Sequence, residues 1–176
     1  MKKLRKNLIY LLVILTPLLF FWACDTTGGG GTGNGNSVSV TAEGTTATDF
    51  TNIAATYMNS ASGPVTLVPS IVIAADLGQF PSILIEIKAT AAGKYTVAAD
   101  EVIVSYGDAT TQQYVAQKAL ANTSGSATIT SYGVVGEKVV GTFDVMADKY
   151  VGPNPSGIAV SVTGSFSVTR VADDSI

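Results

Sequence analysis

From Ile158 to Thr169 the chain alternates two kinds of side chain for twelve positions. Ile158, Val160, Val162, Gly164, Phe166 and Val168 take turns with Ala159, Ser161, Thr163, Ser165, Ser167 and Thr169. A strand sends successive side chains to opposite faces, whereas a helix turns about 100° per residue, so this order segregates one apolar face only as a strand. Gly164 within the run predicts a bend or bulge. The same period of two sets Val139, Gly141, Phe143 and Val145 against Val140, Thr142, Asp144 and Met146, and Ile83, Ile85 and Ile87 against Leu84, Glu86 and Lys88. Shorter runs follow the pattern at Val38–Glu43, Ser70–Ala75, Tyr95–Ala98, Glu101–Tyr106, Gln112–Gln117 and Ser126–Tyr132. Turn-formers separate them, among them Gly63-Pro64, Gly107-Asp108, Gly125, Gly133, Gly136 and Gly152-Pro-Asn-Pro155. Short strands at this spacing predict an all-β domain over residues 37–176, an antiparallel β-sandwich or partly open barrel of eight or nine strands.

One stretch follows a different period. Phe50, Ile53, Ala54, Tyr57 and Met58 fall at i, i+3, i+4, i+7 and i+8 behind Asp49, the stripe of a short amphipathic helix near residues 49–58. The competing reading is a hairpin with Val38–Glu43, because Thr45–Thr51 is rich in threonine, a poor helix former.

The N-terminus carries an address. Lys2, Lys3, Arg5 and Lys6 precede an apolar run from Leu8 to Ala23 broken only by Tyr10, Thr16 and Pro17, the build of a secretory signal over residues 1–23. The competing reading is a retained anchor, but a membrane-spanning helix needs about 17–25 apolar residues and Pro17 would weaken it. The run ends in Phe21-Trp22-Ala23-Cys24, which resembles the lipobox of bacterial lipoproteins, where a small residue precedes a cysteine that becomes the acylated first residue. Ala23 and Cys24 match that pattern, while Phe21 and Trp22 depart from its usual leucine and small residue. The resemblance implies lipidation at Cys24 and attachment to the outer membrane of the cell envelope. A lone cysteine in an exported chain has no disulfide partner, which agrees with that role. Residues 24–36, with six glycines, read as a flexible tether spanning roughly 20 Å r.m.s.. Gly28, Gly30 and Gly33 fit G-x-G-x-x-G, but no strand precedes them and no helix follows, so they make no dinucleotide site.

The C-terminal half has a cadence of its own: Gly93-Lys-Tyr-Thr96, Ser124-Gly-Ser-Ala-Thr-Ile-Thr130, Gly141-Thr-Phe143 and Gly164-Ser-Phe166. It resembles small β-sandwich domains of unknown function found on bacterial lipoproteins, over roughly residues 90–172. The resemblance implies a fold and no functional residue.

Composition narrows the chemistry. The chain has no histidine, which removes Ser-His-Asp, Cys-His and His-metal sites. Beyond residue 23 it carries six basic and thirteen acidic side chains, a balance that disfavours nucleic acid. Paired carboxylates are the remaining catalytic route, with Glu86, Asp100, Glu101, Asp108, Asp144 and Asp148 as the acids to examine. Asp100 and Glu101 are adjacent, so in a strand they point to opposite faces. Asp108 and Asp148 could serve a loose cation loop, but no calcium-loop pattern is present. Six tyrosines, Tyr57, Tyr95, Tyr106, Tyr114, Tyr132 and Tyr150, could stack on sugars or anchor a protein. Tyr150 is the leading candidate for ligand contact, because Lys149–Pro155 reads as a long Pro/Gly loop. The sequence therefore predicts no catalytic residue, no cofactor and no metal. It predicts a non-enzymatic, lipid-anchored envelope protein whose domain is a structural or interaction module toward a protein or glycan partner, ahead of a carbohydrate-binding surface module and, after that, a carboxylate-dependent hydrolase.

Overall fold

The alternating run at the end of the chain forms half of a long hairpin that organises everything else. In the computed structural model, which describes residues 35–45, 47–50, 53–59, 69–172 and 174–175, twelve strands are seen. They are β1 (Ser37–Ala42), β2 (Thr48–Phe50), β3 (Ile53–Asn59), β4 (Ser70–Ala75), β5 (Ser82–Ile87), β6 (Gly93–Thr96), β7 (Val102–Gly107), β8 (Gln113–Ala116), β9 (Ser124–Tyr132), β10 (Lys138–Val151), β11 (Asn154–Thr169) and β12 (Asp174–Ser175). No helix occurs among the described residues.

The strands form one sheet in the order β12-β3-β4-β5-β7-β8-β10-β11-β1-β2, antiparallel except for the short β12–β3 pair. The 14-residue β10 carries two neighbours along one edge. Its first half pairs with β9, which in turn holds β6, and Asp148 and Lys149 pair with Val115 and Tyr114 of β8. Inward side chains from β1 to β11 meet in a single core that includes Val40, Tyr57, Ile73, Ile85, Val104, Ile129, Phe143 and Phe166. A continuous sheet curled around one core is the partly open barrel among the predicted architectures. Its opposite parts touch where Thr48 of β2 shares a 2.9 Å hydrogen bond with the Tyr106 hydroxyl of β7.

The predicted helix near 49–58 is not formed, since β2 and β3 lie there instead. A spacing of four, Ile53 to Tyr57, satisfies both periods, so Ala54 and Ala55 decide between them. Ala55 packs against the core and Ala54 is exposed, the strand pattern, and Ile53–Met58 pairs with Ala75–Ser70 of β4. That pairing places a Thr- and Ala-rich segment where ladder hydrogen bonds outweigh its local preference. Together with β12, these two strands bring the count above the predicted nine.

The closing strand carries no bulge at Gly164, where both of its ladders keep register. Gly164 instead faces Phe143 across the ladder, while Gly141 faces Phe166. A methyl built on Gly141 would strike the tip of the Phe166 ring and come within 2.6 Å of the Thr128 carbonyl oxygen. One built on Gly164 would strike the Ser39 carbonyl and lie 2.7 Å from Phe143 Cε1. Two rings thus lie across two glycines on neighbouring strands, each filling the space the other strand leaves vacant. Irregularities occur at Val140/Gly141 and at Asp148/Tyr150.

The strand ends define two poles. One gathers the turns 76–81, 108–112 and 152–153, and the other gathers the turn 133–137, the segment 88–92 after β5, and Asn36 where the chain enters β1.

Candidate functional site

Asp108 closes the β7–β8 turn. Its Oδ1 accepts hydrogen bonds from the Thr110 amide at 2.8 Å, the Thr110 hydroxyl at 2.7 Å and the Gln112 amide at 3.0 Å, and its Oδ2 accepts from the Tyr114 hydroxyl at 3.1 Å. The side chain is 6% exposed. Burial pushes its carboxyl up, but the donors from Thr110, Gln112 and Tyr114 outweigh it and hold the group below the ordinary carboxylate value. Burial and the bond to Asp108 in turn push the Tyr114 phenol up to about 12. Tyr114 stacks on Tyr106, with centroids 5.9 Å apart and planes inclined by 17°. With donors converging on both oxygens, this carboxylate staples a turn.

Three other acids are similarly employed. Asp148 is buried at the bulge of β10, where Oδ1 accepts from the Gly157 amide at 3.0 Å, and the Gly157 carbonyl accepts from Asn122 Nδ2 at 3.0 Å. Asp100 pairs with Lys88 at 2.8 Å, and Glu101 Oε2 accepts from the Thr96 amide at 2.9 Å. Glu86 is half-buried on the outer face of β5, and desolvation raises its pKa against the opposing pull of Lys88. Asp144 is exposed on the outer face of β10. It lies in a shallow groove of about 400 Å³ whose lining includes Ser39, Thr41, Thr142, Thr163 and Ser165, together with Phe143 and Gly164. No cluster of three acidic or cysteine side chains with metal-binding spacing occurs among the described residues.

The tyrosines turn inward. Tyr57, Tyr106 and Tyr114 are buried, and Tyr95, Tyr132 and Tyr150 are half-buried. Tyr150 does not occupy a long loop, as the sequence predicted. It sits on β10 opposite Pro155, and Val151 pairs with Asn154, which leaves only Gly152 and Pro153 as the turn. Gly152 has φ of 60°, the positive value wanted at the first position of a tight hairpin turn, and Pro153 suits the second, so residues that signalled a loop build a two-residue connection. The Tyr150 carbonyl accepts from Gln112 Nε2, which ties this turn to the β7–β8 turn. Burial, and secondarily the charge of Asp148, raise the Tyr150 phenol. Cys24 lies outside the described residues.

The pole where the chain enters holds residues that sequence reasoning passed over. Asn36, assigned to the tether, belongs to the domain. Its Oδ1 accepts from Lys138 Nζ at 2.9 Å, the Thr169 amide at 2.8 Å and the Thr169 hydroxyl at 3.1 Å. Beside it the Arg170 guanidinium lies 4.8 Å from the Tyr132 ring centroid and 5.7 Å from that of Tyr57, and Nη1 donates to the Gly133 carbonyl. These partners are separated by tens to more than a hundred residues, so no local signal announces them. In the adjoining turn Val134 is 65% and Val135 56% exposed. The flanking Gly133 and Gly136 were a legible sign of a turn, though not of its apolar tip.

No family profile, curated protein or solved structure matches this chain.

Proposed function

We propose that this chain is a non-enzymatic, lipid-anchored protein of the bacterial cell envelope, held in the outer membrane through Cys24 and using its β-domain as a structural or interaction module. The anchor rests on Phe21-Trp22-Ala23-Cys24 and the glycine-rich tether. The observation that carries the module reading is where the chemically capable side chains point. Asp100, Glu101, Asp108 and Asp148 accept hydrogen bonds from the domain itself, and three of the six tyrosines in the domain are buried while the other three are half-buried. A glycan-binding module would call for exposed, coplanar rings, and a carboxylate hydrolase for two acids facing across a cleft about 5–10 Å wide. Leu77, Phe80 and Val151, each more than a third exposed, stand at the pole opposite Asn36 and are the surface that anchoring turns away from lipid.

The test is detergent-phase partitioning of the full chain expressed in a bacterium. Cys24→Ser should move it to the aqueous phase and abolish incorporation of labelled palmitate. Membrane retention at the wild-type level would mean that residues 8–23 anchor the chain uncleaved. Selective glycan binding by the wild-type chain on an array would replace the module reading with the carbohydrate one.

A further inference from the structure

We propose that the β9–β10 turn is a membrane-contacting tip that seats the domain upright on the bilayer from which it is tethered. The proposal rests on the lipid-anchor reading above. Its new content is the face that meets lipid.

The argument begins where the tether stops. Asn36 is fixed by three hydrogen bonds to Lys138 and Thr169, at the start of β10 and the end of β11. The chain therefore leaves the domain beside the turn 133–137. Eleven residues lie between Cys24 and Asn36, and a flexible glycine-rich tether of that length would reach roughly 20 Å r.m.s.. An acyl group at Cys24 would keep this pole within about that distance of the headgroups, which gives the tip a high local concentration of bilayer surface.

The pole is built to accept such a surface. Val134 and Val135 form the apex of the turn, with 65% and 56% of their surface exposed, and Gly136 with φ of 91° lets the backbone reverse behind them. The turn is closed by the bond from the Glu137 amide to the Val134 carbonyl at 2.9 Å, and the Gly136 amide donates to the Arg170 carbonyl at 2.8 Å. The apolar apex is thus a held shape. Glu137 is exposed in the same turn, and its Oε2 accepts from the Val134 amide at 3.3 Å, which holds the carboxylate against the backbone of the turn. Exposed Ala91 and Ala92 continue the small apolar surface in the segment that the Tyr132 hydroxyl ties to the turn through the Ala89 carbonyl at 3.3 Å. Tyr132 with Arg170 behind it gives the amphipathic ring and cation that favour the membrane–water boundary.

The experiment places a fluorophore on the tip of the full lipidated chain. Val135→Trp, with Val134→Trp as a second variant, is bound to phosphatidylcholine vesicles with or without bromine on the acyl chains. Val151→Trp reports the opposite pole, and unsubstituted chain, which retains Trp22 only if residues 1–23 stay uncleaved, gives the background. Vesicle flotation is recorded for each protein. The expected result is about twofold quenching and a blue shift for both tip variants on brominated lipid, with Val151→Trp unaffected. Chains that float while both tip variants remain unquenched would overturn the tip contact and leave the anchor standing. Chains that do not float would overturn the anchor reading and this proposal with it. Quenching of Val151→Trp equal to that at the tip would show a domain without fixed orientation, and would also overturn it.

Discussion

Phe166→Ala isolates an interaction that joins the two longest strands, β10 and β11. The ring is 2% exposed and lies across Gly141 of β10, its ladder partner. A buried phenylalanine removes about 150–250 Å² from water, which at about 25 cal/mol per Å² corresponds to roughly 4–6 kcal/mol of transfer free energy. Alanine retains the first carbon, and core truncations of this size cost about 3–5 kcal/mol in practice. The loss should fall at the upper end here, because the residue beneath the ring is a glycine and has no side chain to relax into the void. Ser165→Ala, one position away on the exposed outer face, should change stability by less than about 0.5 kcal/mol. Gly141→Ala alone should cost about 1–3 kcal/mol through overpacking against the ring. Combined with Phe166→Ala it should cost less than the sum, since the ring that its methyl strikes is gone, though the Thr128 carbonyl still crowds it. Urea melts at constant m-value measure all four proteins. Equal losses from the serine and phenylalanine changes would refute the assignment of faces. Strict additivity of the glycine and phenylalanine changes would refute the ring-over-glycine contact.

Two further groups invite tests. Asp108 titrates below its ordinary value in the folded chain, so the stability it contributes is fully present above the unfolded carboxyl value of about 4 and is lost as pH falls through the folded value. Asp108→Asn should flatten that acid limb in urea midpoints taken against pH and cost about 1–3 kcal/mol at neutrality, and an acid limb unchanged by the substitution would assign it to other carboxylates. Tyr114 has the opposite sign: its phenol is raised to about 12, so its stabilisation persists below about pH 10 and drains away between there and pH 12, a loss that Tyr114→Phe should reduce. Arg170→Lys keeps the charge between Tyr57 and Tyr132 but loses the plane that stacks on them, and thermal melts should show a loss of about 1–2 kcal/mol. Unchanged stability would reduce the pair of ring contacts to coincidence of packing.

What could be read from the chain was the part governed by nearest neighbours. The inward side chains of β5, β7, β10 and β11 obey the period of two that identifies them, while Ser70–Ala75, buried at all six positions, was legible as a short apolar run between turn-formers. Where the sequence misled, one signal served two structures. The four-residue step from Ile53 to Tyr57 fits helix and strand alike, and Gly152-Pro153 begins a tight turn as readily as a long loop. The Asp108 staple was half legible, since an aspartate two residues before a threonine is a common way to close a turn. The clasp of Asn36 on Thr169 and the Tyr57–Arg170–Tyr132 stack were not legible at all, because their partners meet only when the sheet closes.

That clasp has a consequence for the order of assembly. Asn36 and Thr169 lie 133 positions apart, and Ser37 through Ala42 find their ladder partners in Ser167 through Val162. Contacts of such sequence separation raise the contact order and slow folding, so the barrel cannot be sealed until nearly the last strand is available. For a chain threaded through a secretion channel with its N-terminus leading, β1 emerges early and waits with one edge unpaired, held only to the three-residue β2. In such a chain the topology would delay completion until translocation had ended and keep the chain extensible while it crossed. The same arrangement makes a chain truncated before Val162 hazardous, because β1 would then offer its open edge to other chains.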